Sequence, residues 1–313
     1  MDTKVLLTVD TELFLGRYRA AEDWRKNFAL SVEPAGVGLS YQLGQLARHG
    51  LKAVFFVDPM PALVYGIEPI RAMVEPILAA GQEVQLHLHP AWHGIAHGEP
   101  ADSDLSACSA ERQRELIAIA RHLLRDAGAP EPIAFRAGSF AANLDTLEVL
   151  ASLGIGYDSS HNGSHHPWPS ALPLDPRQIA PSLLECVVEA PVTQIEQKQG
   201  LRHLQICAVS FDETRDALLH AADRGHPLVN IVSHSFELAT RDGRRANPVA
   251  RSRFVRLCQF LDESRDRLAT AHFADLAELP LRAEAEPMRT RPMRTVARMV
   301  EQVWGNAVYE RRL

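Results

Sequence analysis

The stretch LSYQLGQLARHGLKAVFFV, residues 39–57, decides the fold. Leu39, Leu43 and Leu46 recur at helical spacing, so 39–49 is expected to be a helix with one apolar face. Gly50 stands where a helix closes on a left-handed residue. Residues 52–57, KAVFFV, then run apolar without alternation, as a strand does when both of its faces are covered. Helix, glycine and buried strand form one unit, and the unit recurs on either side. A short β-branched run at 4–9 precedes it. After it come a helix near 70–80 closed by Gly81, a strand at 83–88, a helix at 111–127 closed by Gly128 and a strand at 133–136. A helix at 144–153 closed by Gly154 leads to a strand at 155–157. A helix at 214–224 before Gly225, a strand at 228–233 and a helix at 248–264 complete the series. This alternation specifies an α/β domain with a mostly parallel sheet. Such domains carry their active sites past the carboxyl ends of the strands.

Two regions interrupt the rhythm. Residues 161–181 are rich in His, Pro, Ser and Gly and read as a long loop near the site. Residues 185–209, with CVVEAPVT and LRHLQICAV, alternate loosely as antiparallel strands do. Beyond about residue 280 the composition changes: 282–294 is basic and interrupted by prolines. Residues 295–309 then form an expected amphipathic helix with Val296, Met299, Val300 and Val303 on one face. The chain accordingly divides into 1–280 and a C-terminal basic segment with a helix, 281–313. That helix is expected to cap the domain or join copies into a homo-oligomer rather than to lie on a membrane, because no second anchoring signal accompanies it.

The 313 residues have a net charge of −6, 46% hydrophobic and 23% charged residues. These proportions fit a globular protein and argue against disorder. Without an excess of basic residues, a nucleic-acid partner is not expected. No run approaches the ~20 apolar residues of a membrane helix. The opening MDTKVLLTVDTE reads as a strand rather than a signal peptide, so a cytoplasmic location is expected. Cys108, Cys186, Cys207 and Cys258 are scattered, which suggests four separate buried thiols rather than disulfides or a zinc knuckle.

Residues able to do chemistry gather where strands end. Asp10 and Glu12 lie two apart after the first strand and share a face, so one carboxylate can hold a cation while the other takes a proton. His87, His89 and His93 fall within seven residues of one another, with His97 beyond. His87 and His89 share the face of an extended segment, and His89 and His93 have the i, i+4 spacing of one helical turn. Two imidazoles and a carboxylate make a common ligand set for a catalytic divalent ion. Arg136, in AFRAGSF, can hold Asp10 through a bidentate pair and lower its pKa. Tyr157, Asp158 and Ser159 close another strand and are candidates for substrate contact, although the same residues also suit a capped turn. His234, after LVNIV, faces the same mouth and can protonate a leaving group.

Taken in order, these residues resemble the polysaccharide deacetylase family, the NodB-homology or carbohydrate esterase 4 group. TVDTE matches its acidic first motif and KAVFFV its second strand, and GQEVQLH matches its G-H-E-[IV]-x-x-H strand. Arg136, Asp158-Ser159 and His234 match its later motifs, and the likeness spans about residues 4–275. The resemblance implies a distorted (β/α) barrel of seven or eight mostly parallel strands and a divalent ion, usually zinc. It further implies Asp10 as general base, Glu12 as metal carboxylate where the family usually has aspartate, and His87 as a metal ligand. Arg136 would tune Asp10, and His234 would be the general acid. The family's second metal histidine stands four residues after the first, where this chain has Ala91. The second ligand is therefore His89 or His93, with His89 favoured because it shares a face with His87. The expected activity is removal of N-acetyl groups from a saccharide or sugar conjugate. Hydrolysis of another non-peptide C–N bond and non-catalytic carbohydrate binding on the same scaffold are the alternatives.

Overall fold

The computed structural model describes residues 2–100, 104–276, 279–281 and 284–305. The strands are β1 (Thr3–Thr11), β2 (Val54–Val57), β3 (Glu83–Leu88), β4 (Ala134–Ala137), β5 (Tyr157–Asp158), β6 (Ser182–Leu184), β7 (Val187–Glu189), β8 (Gln194–Gln197), β9 (Gly200–His203), β10 (Leu228–His234), β11 (Leu268–Thr270) and β12 (Met288–Arg289). The helices are α1 (Trp24–Ser31), α2 (Leu39–His49), α3 (Ala62–Tyr65), α4 (Glu68–Ala79), α5 (Ala91–His97), α6 (Ala110–Asp126), α7 (Leu144–Ser152), α8 (Phe211–Arg224), α9 (Pro248–Glu263) and α10 (Pro292–Gly305).

The main sheet runs β10-β1-β2-β3-β4-β5-β7-β6, parallel except for the β6–β7 hairpin, with β11 beside the start of β1. It curls into a distorted, incomplete (β/α) barrel. Between β7 and β10 the gap is bridged by irregular chain. Thr193 N donates to the Asn230 carbonyl at 3.1 Å, and Ile206 N to the Val232 carbonyl at 3.1 Å.

The period of two decides what lies inside. Val5, Leu7, Val9, Phe55, Val57, Leu86 and Phe135 face outward and pack with Leu43 and Leu46 of α2 and with Ile70, Met73, Val74 and Ile77 of α4 in the principal core. Leu6, Val54, Phe56, Ala134 and Leu228 point into the curl and close its floor with Phe273. The opening unit forms as its pattern requires. Gly50 adopts φ 55°, a left-handed conformation that costs glycine little, and its N–H returns to the Ala47 and Leu46 carbonyls of α2.

Several expectations need correction. Within 185–209 β8 and β9 do pair antiparallel, but β7 takes its antiparallel partner, β6, from just before this region and also pairs in parallel with β5, extending the main sheet. Of the four cysteines only Cys258 is buried; Cys108 is half-buried and Cys186 and Cys207 are exposed, the latter two lying in irregular chain outside the helices and strands. The C-terminal helix begins at Pro292, three residues before the expected start, and its expected end at Tyr309 lies outside the described residues. Among the described residues, no helix is long and apolar enough to cross a membrane.

Candidate active site at the barrel mouth

Each strand that lines the curl delivers a polar side chain to its upper end. On β1 the inward set runs Leu6, Thr8, Asp10, with Glu12 one residue past the strand. The parallel register places Asp10 beside His234 of β10 and beside Phe56 of β2. His87 of β3 stands beside Arg136 of β4, and His89 follows on the same face. Helix α2 helps fix the loop after β10, because Gln42 donates to the carbonyls of His234 and Ser235, both at 3.2 Å.

Arg136 is fully buried and anchors the layer below the mouth. Its Nη1 donates to Asp10 Oδ1 at 2.7 Å and to Thr8 Oγ1 at 2.9 Å, and its Nε and Nη2 donate to the Ser159 carbonyl and Oγ. The Asp10 pair is therefore single-pronged, not bidentate, because the other donors are committed to Thr8 and Ser159. The guanidinium lies 4.3 Å over the Phe56 ring, which holds its plane. Burial alone would raise the Asp10 carboxyl, but Arg136, with His87 and His234 behind it, holds it below the usual carboxylate range. Asp10 is consequently an anion at neutral pH.

Glu12, His87 and His89 form a second cluster, with one ligand atom from each within 4.8 Å of the others. Glu12 Oε2 lies 2.7 Å from His89 Nε2 and 3.8 Å from His87 Nε2. His87 Nδ1 donates to the Arg136 carbonyl at 2.8 Å. That bond fixes the tautomer and leaves Nε2 with its lone pair toward Glu12, the arrangement by which proteins orient metal-binding imidazoles. Burial pushes His87 down to about 4, so it is neutral and able to coordinate. Burial also opposes charge on Glu12 and on His89, yet their mutual contact outweighs it, bringing Glu12 down to about 2 and His89 up to about 9. One carboxylate oxygen and two imidazole nitrogens converge here, a set that suits a divalent ion of the zinc type, which would take the place of the proton held between Glu12 and His89.

His234 lies between two carboxylates. Its Nδ1 donates to Glu237 Oε1 at 2.9 Å, and its Nε2 is 3.7 Å from Asp10 Oδ2. Its side chain is 21% exposed, enough to meet a ligand in the mouth. Burial lowers its pKa, but the Glu237 bond and charge prevail and raise it to about 9. Phe236 stacks against the ring at 5.0 Å.

The structure thus brings Asp10, Glu12, His87, His89, Arg136 and His234 to one place. His93 is elsewhere. It lies on α5, where its Nδ1 accepts from Arg112 of α6 at 2.8 Å and its ring stacks on His97 at 4.0 Å. Pro90 precedes α5 and a short helix does form, so the i, i+4 spacing pairs His93 with His97 rather than with His89. Tyr157, Asp158 and Ser159 lie beneath the mouth. Tyr157 packs 5.3 Å from Phe273 at the floor, and Ser159 Oγ accepts from Arg136 and Asn230. Asp158, fully buried, accepts from Ser160 and faces away from the curl. Their visible work is to support Arg136 and the loop that follows β5.

Sequence reasoning missed two residues that touch the site. Glu237, three residues after His234, was legible as an i, i+3 carboxylate partner. Asp58 continues the inward series Val54, Phe56 by two residues, a signal obscured by the turn-like DPMP that it opens. It is fully buried, one of its oxygens accepts from Met60 N, and the other has no hydrogen-bond partner. Burial pushes its carboxyl up to about 7 against the pull of His89. Close packing confirms how tightly the mouth is built. A Cβ on Gly138 would sit 2.4 Å from His89 Nδ1, so only glycine lets this loop cross the imidazole. Ser139 and Phe140, next along, both have positive φ, at a cost of roughly 1–3 kcal/mol each.

No protein-family model matches the sequence, and no curated protein does. Solved structures do match. A protein assigned as a polysaccharide deacetylase from Mycobacterium smegmatis superposes with a TM-score of 0.58 at 20% identity, covering 91% of this chain and 94% of that one. A 4-alpha-glucanotransferase from Thermococcus litoralis gives 0.55 at 10% identity, over 90% of this chain and 42% of that one. A family 4 carbohydrate esterase from Streptomyces lividans, in complex with acetate, gives 0.44 at 15% identity, over 91% and 98%. The chain therefore shares the fold of the mycobacterial protein. Because a glucanotransferase shares that architecture, the fold alone does not choose a reaction, and the choice rests on the side chains in the mouth.

Proposed function

We propose that the protein is a metal-dependent hydrolase that removes N-acetyl groups from a saccharide or sugar conjugate. One observation carries the proposal: a carboxylate–imidazole–imidazole cluster and a separate base–acid pair, Asp10 and His234, share one mouth. Support for the saccharide comes from the order of the motifs along the chain and from the fold shared with the mycobacterial protein.

Glu12, His87 and His89 would hold the ion. When bound, such an ion supplies Lewis acidity, polarising the amide carbonyl and acidifying water. The remaining work belongs to the chain. Asp10, kept anionic by Arg136, takes a proton from water as its oxygen adds to the acetyl carbon. His234, kept protonated by Glu237, gives its Nε2 proton to the departing nitrogen as the C–N bond breaks. Acetate and a free amine are the products; the proton taken by Asp10 returns to solvent, and the proton that the new carboxyl group sheds restores the one His234 gave up. The 3.7 Å contact between Asp10 and His234 puts base and acid within reach of one bound acyl group.

Acetate release tests this, with the zinc- or cobalt-supplemented protein offered N-acetylated mono- and oligosaccharides alongside small cyclic amides. Acetate from at least one N-acetylated sugar is expected, and Asp10→Asn should lower its turnover by ~10²–10⁴-fold. Turnover of cyclic amides alone, or an Asp10→Asn variant as active as the parent, would contradict the proposal.

A further inference from the structure

Helix α10 is mounted inside out. Its charged residues face the body of the protein. Arg298 is 3% exposed and pairs with buried Glu213 at 3.1 Å. Arg294 reaches Asp212 at 2.6 Å and Asp216 at 3.2 Å on α8, and Glu301 pairs with Arg253 on α9. The apolar residues point outward: Met293, Val296, Met299, Val300 and Val303 are between 53% and 85% exposed. Ion pairs with α8 and α9, not apolar burial, set this orientation. A helix held by hydrophobic burial would turn the same stripe inward.

The stripe has a regular spacing. Met293, Val296, Val300 and Val303 are separated by 3, 4 and 3 residues, the a and d positions of two heptads, with Val at three of the four. Met299 and the small Ala297 flank the seam, so no charge lies along it. Five side chains so exposed amount to on the order of 500 Å² of apolar surface, at the upper end of what a monomer leaves open.

The charges decide the occupant. An anionic lipid surface binds helices that place cations beside the apolar face. Here Arg294 and Arg298 are turned inward onto carboxylates, and Arg291 at the entrance lies outside the seam. A second copy offers an identical uncharged seam with no like charges to oppose it. Mutual burial of about 1,000 Å² reaches the lower bound of a specific interface. We infer that α10 is a dimerisation helix, and that two copies pair the Met293–Val296–Val300–Val303 seam about a two-fold axis, each seam contacting its own image. This inference is independent of the deacetylase reading and stands or falls without it.

Sedimentation velocity on the full-length chain, across a concentration series into the tens of micromolar, tests it. The parent should sediment as a dimer. Val300→Glu changes a position that is 63% exposed, and its circular dichroism should match the parent. It should weaken association by on the order of 100-fold or more, because a charge is placed in the centre of both halves. Met293→Glu, at the other end of the seam, should weaken it less. A monomeric parent, whether the seam is covered from within its own chain or left open, overturns the inference. So does a Val300→Glu protein that remains as dimeric as the parent. Vesicle flotation with 3:1 phosphatidylcholine–phosphatidylglycerol should leave the protein in the soluble fraction; a Val300-dependent shift onto the vesicles by a monomeric parent would replace the dimer with a membrane contact.

Discussion

Replacing His234 by alanine is expected to lower turnover by ~10²–10⁴-fold while leaving the bound metal and the fold intact. His234 is not among the three residues that converge as ligands, and its ring reaches the mouth from β10, on the opposite side of β1 from β3. Its loss removes a proton donor and leaves Asp10 its stronger partner, Arg136. The pH profile makes the test specific to proton donation. A general acid works while it is protonated, so activity is present below its pKa and fades as pH rises through it. With His234 raised to about 9, the alkaline limb of kcat/KM should lie near that pH. Glu237→Gln removes the anion chiefly responsible for the increase, and the limb should move down toward the ordinary imidazole value of 6.5. A profile unmoved by Glu237→Gln, or a His234→Ala enzyme within a few-fold of the parent, would show that another group protonates the amine.

Arg136 carries the other large effect, and that effect is on stability. The side chain is fully buried and pairs with a nearly buried carboxylate, so Arg136→Met leaves Asp10 charged, desolvated and without its cation. Breaking a buried pair in this way costs about 3–5 kcal/mol. The Ser159 carbonyl and hydroxyl lose donors at the same time. Denaturant unfolding should report that loss for Arg136→Met. Asp10→Asn/Arg136→Met, in which neither charge remains, should recover part of it, giving a coupling between the two sites well beyond additivity. Two strictly additive losses would mean that Arg136 acts by packing on Phe56 rather than by holding Asp10 as an anion.

How far such features could be read beforehand depended on how local their cause was. The unit at 39–57 was legible because its period, its glycine cap and its unbroken apolar strand all point to one answer. Asp10, Glu12, His87, Arg136 and His234 were legible because strands present alternate residues to one face and parallel strands end on one side. His93 misled because helical spacing says which residues share a turn but not where that turn points; α5 turns it to Arg112. Asp58 required the alternation of β2 to be carried one step past the strand. The apolar stripe of α10 was visible, but its direction was not. That direction is set by Asp212, Glu213 and Asp216 on α8, some eighty residues earlier, and no local pattern encodes such a pairing. The role of Ser159 was hidden for the same reason, since its partner Arg136 comes from another strand.

One divalent cation is expected among Glu12, His87 and His89, with Asp10 and His234 flanking it. Diffraction from crystals grown with equimolar zinc, recorded on both sides of the zinc absorption edge, tests it directly. The expected result is one strong anomalous peak enclosed by those three side chains, with Asp58 near it and His93 remote. No peak in the mouth, or a peak held instead by His93 and His97, would contradict the claim and remove the chemistry built upon it.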